Sequence, residues 1–462
     1  MPVNSFENYY MSWKPDKSKL KSPIYVTLAD MMEQDIKNGV LLSNTKLPPQ
    51  RELADFLDLN LTTITKTYKL CEKRGLIHAV VGKGSFISPY VHVNTSIVEK
   101  NINSKIELAT IRPYDIHSTL IRDVSIEVLK RPFSEKLFEY YYPLGDFSQI
   151  QIASKWLKLF GIDANENNTL ITAGAQNALA IILSSLFEAG DKIAVDCYTY
   201  PNFIGLANLL HIQLISVMGD ENGMLPEAFE NACIYQKIKG VYVMPTGNNP
   251  TNIAFSETRR KEIAEIIKKY HVIAIEDDNY TALIKNAVAP LTLEAPEHGI
   301  FISGISKPLC PALRIAYMYV PQKYISVVEK GAFSQNLKIS SLNMEIAAEL
   351  IRSELYKKMI KEKRELSIQR NQIYHTIFPY ATVFLESYCQ WLELPENCSG
   401  VLCERELIKK GINVFGAERF SVGEYAKNNY IRIATCSPEN TEQLKEGLTE
   451  IKNFISHYSK RH

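Results

Sequence analysis

The chain has no CxxC pair, no apolar run long enough to cross a bilayer, no low-complexity stretch, no internal repeat and almost no net charge, +1 over 462 residues. Each absence excludes something. Structural zinc needs clustered thiolates or imidazoles, whereas Cys71, Cys197, Cys233, Cys310, Cys389, Cys398, Cys403 and Cys436 are scattered. Neither a metal site nor a disulfide framework is expected, and the cysteines read as reduced thiols in packed positions. A spanning helix needs about 20 consecutive apolar residues, so no membrane segment is expected. The opening MPVNSFENYYMSWKPDKSKLKSP lacks the apolar middle of a secretory signal, and the expected location is cytoplasmic. Near-neutral balance leaves bulk charge silent on nucleic acid, so any basic surface must be argued from particular residues.

What is present divides the chain. A length of 462 residues exceeds one ordinary core and predicts two or three domains. Within residues 1–88, Ile24, Leu28, Met31, Met32 and Ile36 recur at helical spacing, with Gly39 as a stop signal. In LPPQRELADFLDLN, Pro48 and Pro49 lead into a short helix carrying Leu53, Ala54 and Leu57. Asn60 can cap a third helix, LTTITKTYKLCEKRG, that Gly75 ends. LIHAVVGKGSFIS then reads as a hairpin with its tip at Gly82–Lys83–Gly84. Three helices and a hairpin make a winged helix-turn-helix.

A reading helix places short polar and basic side chains on one face. Thr62, Thr63, Thr65, Lys66 and Lys69 crowd the start of the third helix, with Ile64, Tyr68 and Leu70 on its packing side. Arg51 is placed to meet a backbone phosphate, and Lys83 to reach an adjacent groove or phosphate. An ordinary solvated helix face shows a similar pattern, and twelve basic against nine acidic residues over the first 90 is a modest footprint. The segments LPPQRELADFLDLN, TTITKTYKLCEKRGLI and GKGSFI closely resemble the GntR family of bacterial regulators. That resemblance implies operator-DNA contacts at Arg51, Thr62, Thr63, Thr65 and Lys83, with Lys66 on the same face. Leu61 stands where many relatives have an arginine.

Residues 89–107 show neither periodicity nor a large apolar load and read as a linker. From 108 to 462, KIAVDCY, IQLISVM, IKGVYVMP, HVIAIEDD and GIFISGI alternate with helical patterns. Continuous apolar strands between helices predict an α/β domain, with a mainly parallel sheet sandwiched by helices. A smaller C-terminal lobe is expected from about residue 325.

Five features follow in chain order. TLITAGAQNALAIILSSL passes from strand to helix, so the amides of Gly174, Ala175 and Gln176 fall at a helix N-terminus, which suits a phosphate. VDCYTYPNF puts Tyr200 after a strand, where its ring can stack. VYVMPTGNNPTN ends a strand at Asn249–Pro250, an X-Pro bond of the kind that is sometimes cis. VIAIEDDNYTAL sets two carboxylates at the C-terminal end of an apolar strand, the end at which open α/β sheets bind ligands. Asp277 is the better placed, with Tyr280 three residues on. FISGISKPLCPALRIAY combines Ser306, Lys307 and Arg314. Pyridoxal 5'-phosphate needs a Schiff-base lysine, a carboxylate on its pyridine nitrogen, a stacked ring, donors to its phenolic oxygen and an anion cradle. Lys307, Asp277, Tyr200, the pair Asn249 and Tyr280, and Ser306 with Arg314 and the helix start supply them. A lysine in an apolar pocket is also more easily deprotonated.

Residues from about 108 to 455 resemble a fold-type I aminotransferase of the aspartate aminotransferase class. Joined to the GntR-type head, the chain is similar to the MocR family of regulators. The resemblance implies the same cofactor roles, and it matches Arg432, in NNYIRIATCSP, to the arginine that binds an amino acid α-carboxylate. In EYYYPLGDFSQI it implies that a tyrosine enters the partner subunit's site in a homodimer, Tyr140 first and Tyr141 next. Several positions depart from the pattern. Gly304 replaces a serine or threonine, which removes a phosphate hydroxyl unless Ser303 substitutes. Asn252 replaces the glycine of NPTG, Tyr198 a proline, and Ile150–Gln151 the usual Leu-Arg. Cofactor binding is expected, and efficient turnover is put in question. The leading reading is a transcriptional regulator binding double-stranded operator DNA and a small amino effector. An active aminotransferase with a vestigial head, or a sensor of the B6 vitamer itself, are the alternatives.

Overall fold

The computed structural model describes residues 11–37, 40–41, 45–74, 76–80, 83–88, 105–140, 144–423 and 425–459. Gly39, Gly75, Gly82, Tyr141 and the linker up to residue 104 lie outside the described residues. Two compact units, Met1–Asn94 and Thr95–His462, divide the chain.

In the first unit α1 (Ile24–Lys37), α2 (Gln50–Leu57) and α3 (Leu61–Lys73) precede an antiparallel hairpin of β1 (Ile77–Val80) and β2 (Gly84–Ile87). Leu28, Met32 and Ile36 of α1 meet Leu53, Ala54 and Leu57 of α2 and Ile64, Tyr68 and Cys71 of α3 in one apolar core. The α2–α3 turn is tight because Asp58 adopts a left-handed conformation, φ 52°, and Asn60 then caps α3 by accepting from the Thr62 amide. The Tyr68 hydroxyl donates to the Pro48 carbonyl at 2.6 Å, pinning the chain ahead of α2 to α3. Met11 and Trp13 also enter this core, and the Trp13 indole donates to Asp35. Two isolated apolar residues in a polar stretch carry no periodic signal, so sequence reasoning missed them.

The second unit opens with β3 (Ile106–Glu107), α4 (Ser118–Leu129) and α5 (Phe147–Lys158). Then come β4 (Thr169–Thr172), α6 (Ala175–Leu186), β5 (Lys192–Asp196), α7 (Pro201–Leu209), β6 (Gln213–Val217), β7 (Gly219–Asp220), β8 (Gly223–Met224), α8 (Pro226–Gln236), β9 (Gly240–Val243), α9 (Glu257–Tyr270), β10 (Ile273–Asp278), β11 (Gly299–Gly304) and β12 (Ala316–Tyr319). Seven strands form one sheet in the order β4-β12-β11-β10-β9-β5-β6, parallel except for β12. Strand alternation assigns each residue to one of two helix-covered faces. Val241, Val243 and Ala274 pack with Ile263 and Ile267 of α9, and Phe301 packs with Trp156 of α5. Tyr242, on the other face, stacks on Phe203 of α7 at 3.7 Å between centroids.

The chain continues through α10 (Gln322–Asn336), α11 (Ser341–Arg352), α12 (Leu355–Ile377), β13 (Gln390–Glu393), α13 (Gly400–Ile408), β14 (Ile412–Asn413), β15 (Phe415–Gly416), β16 (Tyr430–Ile433) and α14 (Thr441–Ser459). Strands β13, β16 and β15 make a small antiparallel sheet. Two boundaries differ from the sequence expectation. Residues 106 and 107, read as linker, form β3 and pair with β14, burying Ile106 beside Leu407 and Ile412. The small lobe also starts later than residue 325. Met344, Ala347 and Leu350 of α11 pack with Trp156 of α5 and Phe301 of β11, whereas past residue 325 the lobe's own core first draws on Tyr374 and Phe378. Apolar periodicity shows that a helix is amphipathic, not which lobe receives its face.

Candidate cofactor site and DNA-facing surface

At the C-terminal ends of the central strands lies a cavity of about 250 Å³. Ala175, Gln176, Tyr200, Asn249, Asp277, Tyr280, Ser306, Lys307, Arg314 and Arg432 all line it. Residues up to 257 positions apart in the sequence are thus brought to one place. Gly174 backs the wall: its φ is +89°, and a Cβ there would lie 2.5 Å from the Arg314 guanidinium. Only a glycine lets that arginine approach the start of α6. The Arg314 Nη1 donates to the Ser306 hydroxyl at 3.2 Å. The Gln176 Oε1, buried at the same helix start, has no hydrogen-bond partner among the described residues.

Strand alternation separates the three consecutive acids of β10. Glu276 accepts from the Leu291 and Thr292 amides, and Asp278 from the Tyr280 and Thr281 amides. Both therefore serve the backbone. Asp277 faces the opposite way into the cavity, where its Oδ2 accepts from the Tyr242 hydroxyl at 2.9 Å and its Oδ1 from the Asn279 amide at 2.7 Å. Burial pushes the Asp277 carboxyl up to about 6, against the hydrogen bond from Tyr242. Burial likewise pulls the Lys307 amine down to about 8. Its Nζ lies 3.5 Å from the Ile111 carbonyl, and its own carbonyl accepts from Lys363 and Tyr388. Tyr200 accepts from Asn202 at 3.2 Å, and burial raises its hydroxyl to about 12.

Arg432 is the least expected member electrostatically. It is fully buried in β16, packed over Phe415 and Phe420 at 5.3 and 4.8 Å. It donates to Asn249 Oδ1 at 2.7 Å and to the Ala109 carbonyl, yet its Nε has no hydrogen-bond partner among the described residues. Among the described residues no carboxylate pairs with either Arg432 or Arg314, so the cavity holds two guanidiniums and an amine against one acid. Arg432 is the buried one, and a buried cation without a counter-ion is costly unless an anion arrives. With Arg432 on its oxygen, Asn249 is left with Nδ2 as its donor.

The departures noted in the sequence have local explanations. Ser303 cannot supply the missing hydroxyl, because it lies on the other face of β11 and accepts from the Trp156 indole at 2.9 Å. Asn252 takes a left-handed conformation, φ 61°, a region that asparagine tolerates. It donates to the Cys389 carbonyl and accepts from Ser387. Tyr198 packs edge-on against Trp391 at 5.2 Å. The Asn249–Pro250 bond is trans. Tyr140 is 64% exposed and lies outside the cavity lining. Sequence reasoning missed Tyr242, whose place in an apolar strand hides a polar tip, and Asn279, whose only signal was the bare Gly304 that it packs against.

In the first unit, Arg51, Thr62, Lys66, Lys69 and Lys83 are exposed, while Thr63 and Thr65 are half-buried. Thr62 also donates its hydroxyl to Asn60, and Thr65 donates to Gln50 of α2 at 2.8 Å. Leu61 presents an apolar side chain beside them, 39% exposed.

Fold and site together define an aminotransferase-like domain preceded by a winged helix-turn-helix. Residues 144–448 match the model of aminotransferase class I and II, and residues 24–87 that of the bacterial regulatory proteins of the gntR family. The uncharacterized HTH-type transcriptional regulator YdeF of Bacillus subtilis is 39% identical over 98% of this chain and 99% of its own. The HTH-type transcriptional regulator NorG of Staphylococcus aureus is 24% identical over 89% and 99%. Among solved structures, LysN, the α-aminoadipate aminotransferase of Thermus thermophilus, superposes with a TM-score of 0.73 at 17% identity, covering 81% of this chain and 98% of that one. The chain belongs to the aminotransferase class I and II family and, with its GntR-type head, to the MocR-type transcriptional regulators.

Proposed function

We propose that this regulator binds pyridoxal phosphate through Lys307, reads operator DNA through α3 and the hairpin, and responds to a small amino compound that enters the cofactor cavity. One observation carries the reading: Lys307, Asp277 and two guanidiniums without carboxylate partners among the described residues share a cavity at the sheet's C-terminal edge. The residues fit the cofactor. Arg314, Ser306 and the backbone amides at the start of α6 form a cradle for a phosphate. Asp277 suits a protonated ring nitrogen, Tyr200 a stacked ring, and Asn249 and Tyr280 the phenolic oxygen. When bound, the cofactor supplies an aldehyde that condenses with amines and a ring that withdraws electrons.

The chain's own groups do the rest. Lys307, its amine pulled down by burial, is neutral in a useful fraction near pH 8. Arg432 holds a carboxylate beside it. The relatives that match the full length of the chain are named HTH-type transcriptional regulators, which favours sensing over turnover. A ligand shifts operator affinity only if it binds one conformation better than another. A cytoplasmic homodimer would present two heads to two half-sites, and Tyr140, exposed and outside its own cavity's lining, would serve the partner's.

Addition of pyridoxal phosphate to the apoprotein tests the reading. A visible absorption band should form in the wild type and be lost in Lys307→Ala at unchanged secondary structure. Operator binding should then change on adding the effector amine. A wild-type protein that stays colourless with the vitamer sinks the proposal, and steady turnover of amino acids with 2-oxo acids would assign an enzyme instead.

A further inference from the structure

We infer that Asn279 is a positioning residue for Asp277, the ring-facing carboxylate, and that the missing side chain at Gly304 is what makes room for it. The inference rests on the cofactor reading above and adds a residue to it.

Asp277 is held at both oxygens by donors from different elements: Tyr242 on β9 and Asn279 in the turn after β10. Turning the carboxyl group breaks at least one of these bonds. The other charged or titratable groups that act on it are Asp278 of its own strand, Tyr242, Tyr200 ahead of α7, Tyr280 after β10, and Lys307 after β11. Of these only Lys307 offers a compensating charge. The two hydrogen bonds must therefore do much of the work of keeping a buried carboxylate ionised.

Asn279 lies beyond the end of the strand and lines the cavity. What fixes it is the neighbouring strand. A Cβ built on Gly304 would lie 2.2 Å from the Asn279 Oδ1 and 3.3 Å from its Cγ. Any residue other than glycine at 304 pushes the amide away from its place. The same Cβ would be 3.6 Å from Ala175 at the start of α6, so the amide fills the space between the carboxylate and the phosphate cradle. The loss of a hydroxyl at 304 and the presence of an amide at 279 are then one structural change. A hydroxyl on the cradle is exchanged for a donor on the carboxylate.

The test is a pH titration of cofactor binding, read from the absorption of the bound vitamer. In Asn279→Ala, the pH below which affinity falls should move up by about one unit, with affinity well below that pH reduced about tenfold. Gly304→Ser should reproduce the shift, although it adds a hydroxyl beside the phosphate, because the new Cβ displaces Asn279. The double variant should be no worse than either single, since the two changes remove the same bond. If Asn279→Ala does not fold, Asn279→Ser, too short to reach Asp277, carries the same expectation. A wild-type protein that binds the vitamer while Asn279→Ala leaves the profile unmoved overturns the inference alone, as does a Gly304→Ser that tightens binding without a shift. A wild type that binds nothing overturns the cofactor reading first.

Discussion

Replacing Arg432 with methionine separates a structural arginine from a ligand-binding one. The substitution removes a fully buried cation that has no counter-ion among the described residues, and relief of the desolvation penalty of such a charge is worth several kcal/mol. Against this, the Asn249 Oδ1 and the Ala109 carbonyl lose their donor, at about 1–3 kcal/mol each. Methionine is unbranched and packs well on aromatic rings, so the contacts with Phe415 and Phe420 largely survive. The opposing terms nearly cancel, and Tm should move by only a few degrees. Binding is another matter. Losing one partner of a desolvated charge pair costs about 2–5 kcal/mol, which is roughly 30-fold or more in affinity for an amino acid. The assay pairs thermal unfolding with titration of the bound vitamer's absorption by amino acids and by the matching amines that lack a carboxylate. Only the carboxylate-bearing ligands should weaken. A large fall in Tm with ligand response intact, or an equal loss for both ligand sets, would refute the reasoning.

Reaction of the apoprotein with pyridoxal phosphate should accelerate as pH rises through about 8, where Lys307 loses its proton, instead of near the 10.5 of an ordinary lysine; a stopped-flow pH profile checks this. The same shift fixes a sign for stability: a lysine whose folded value is depressed destabilises the apoprotein fully below pH 8, and the penalty is relieved between 8 and 10.5. Apoprotein melting temperatures should therefore rise for Lys307→Met relative to wild type at pH 7, and converge near pH 10.5. In the head, Lys66→Ala should weaken operator binding and lower its salt dependence by about one counter-ion, measured by anisotropy across a salt series. Asn60→Ala should cost about 1 kcal/mol of the first unit's stability in denaturant melts, through loss of the α3 cap.

Much of this architecture was legible because its signals are local. The helix starts at Pro49 and Asn60, the alternating wing and the apolar strands ending in EDD, SK and NNP each announce themselves within about ten residues. The cavity was legible for the same reason, since ligand sites in open sheets gather at strand ends whose side chains must be polar. What escaped is what two distant segments decide jointly. In the sequence Asp277 is the better placed of two adjacent acids, but the physical reason for that choice lies outside its own segment. It follows from Asp277 sharing a face of the sheet with Tyr242, and Asp278 sharing the opposite one with Ser303. Likewise Gly304 reads in isolation as a lost phosphate ligand, and only the packing of Asn279 against it shows that the space is used. The small lobe's claim on residues 106 and 107 is of this kind too, a pairing made across 306 positions of sequence. Departures from a motif are thus poor evidence of lost function when taken singly. A missing group must be weighed with whichever side chain has moved into its place, and at this site that side chain bonds the carboxylate on which cofactor binding is proposed to depend.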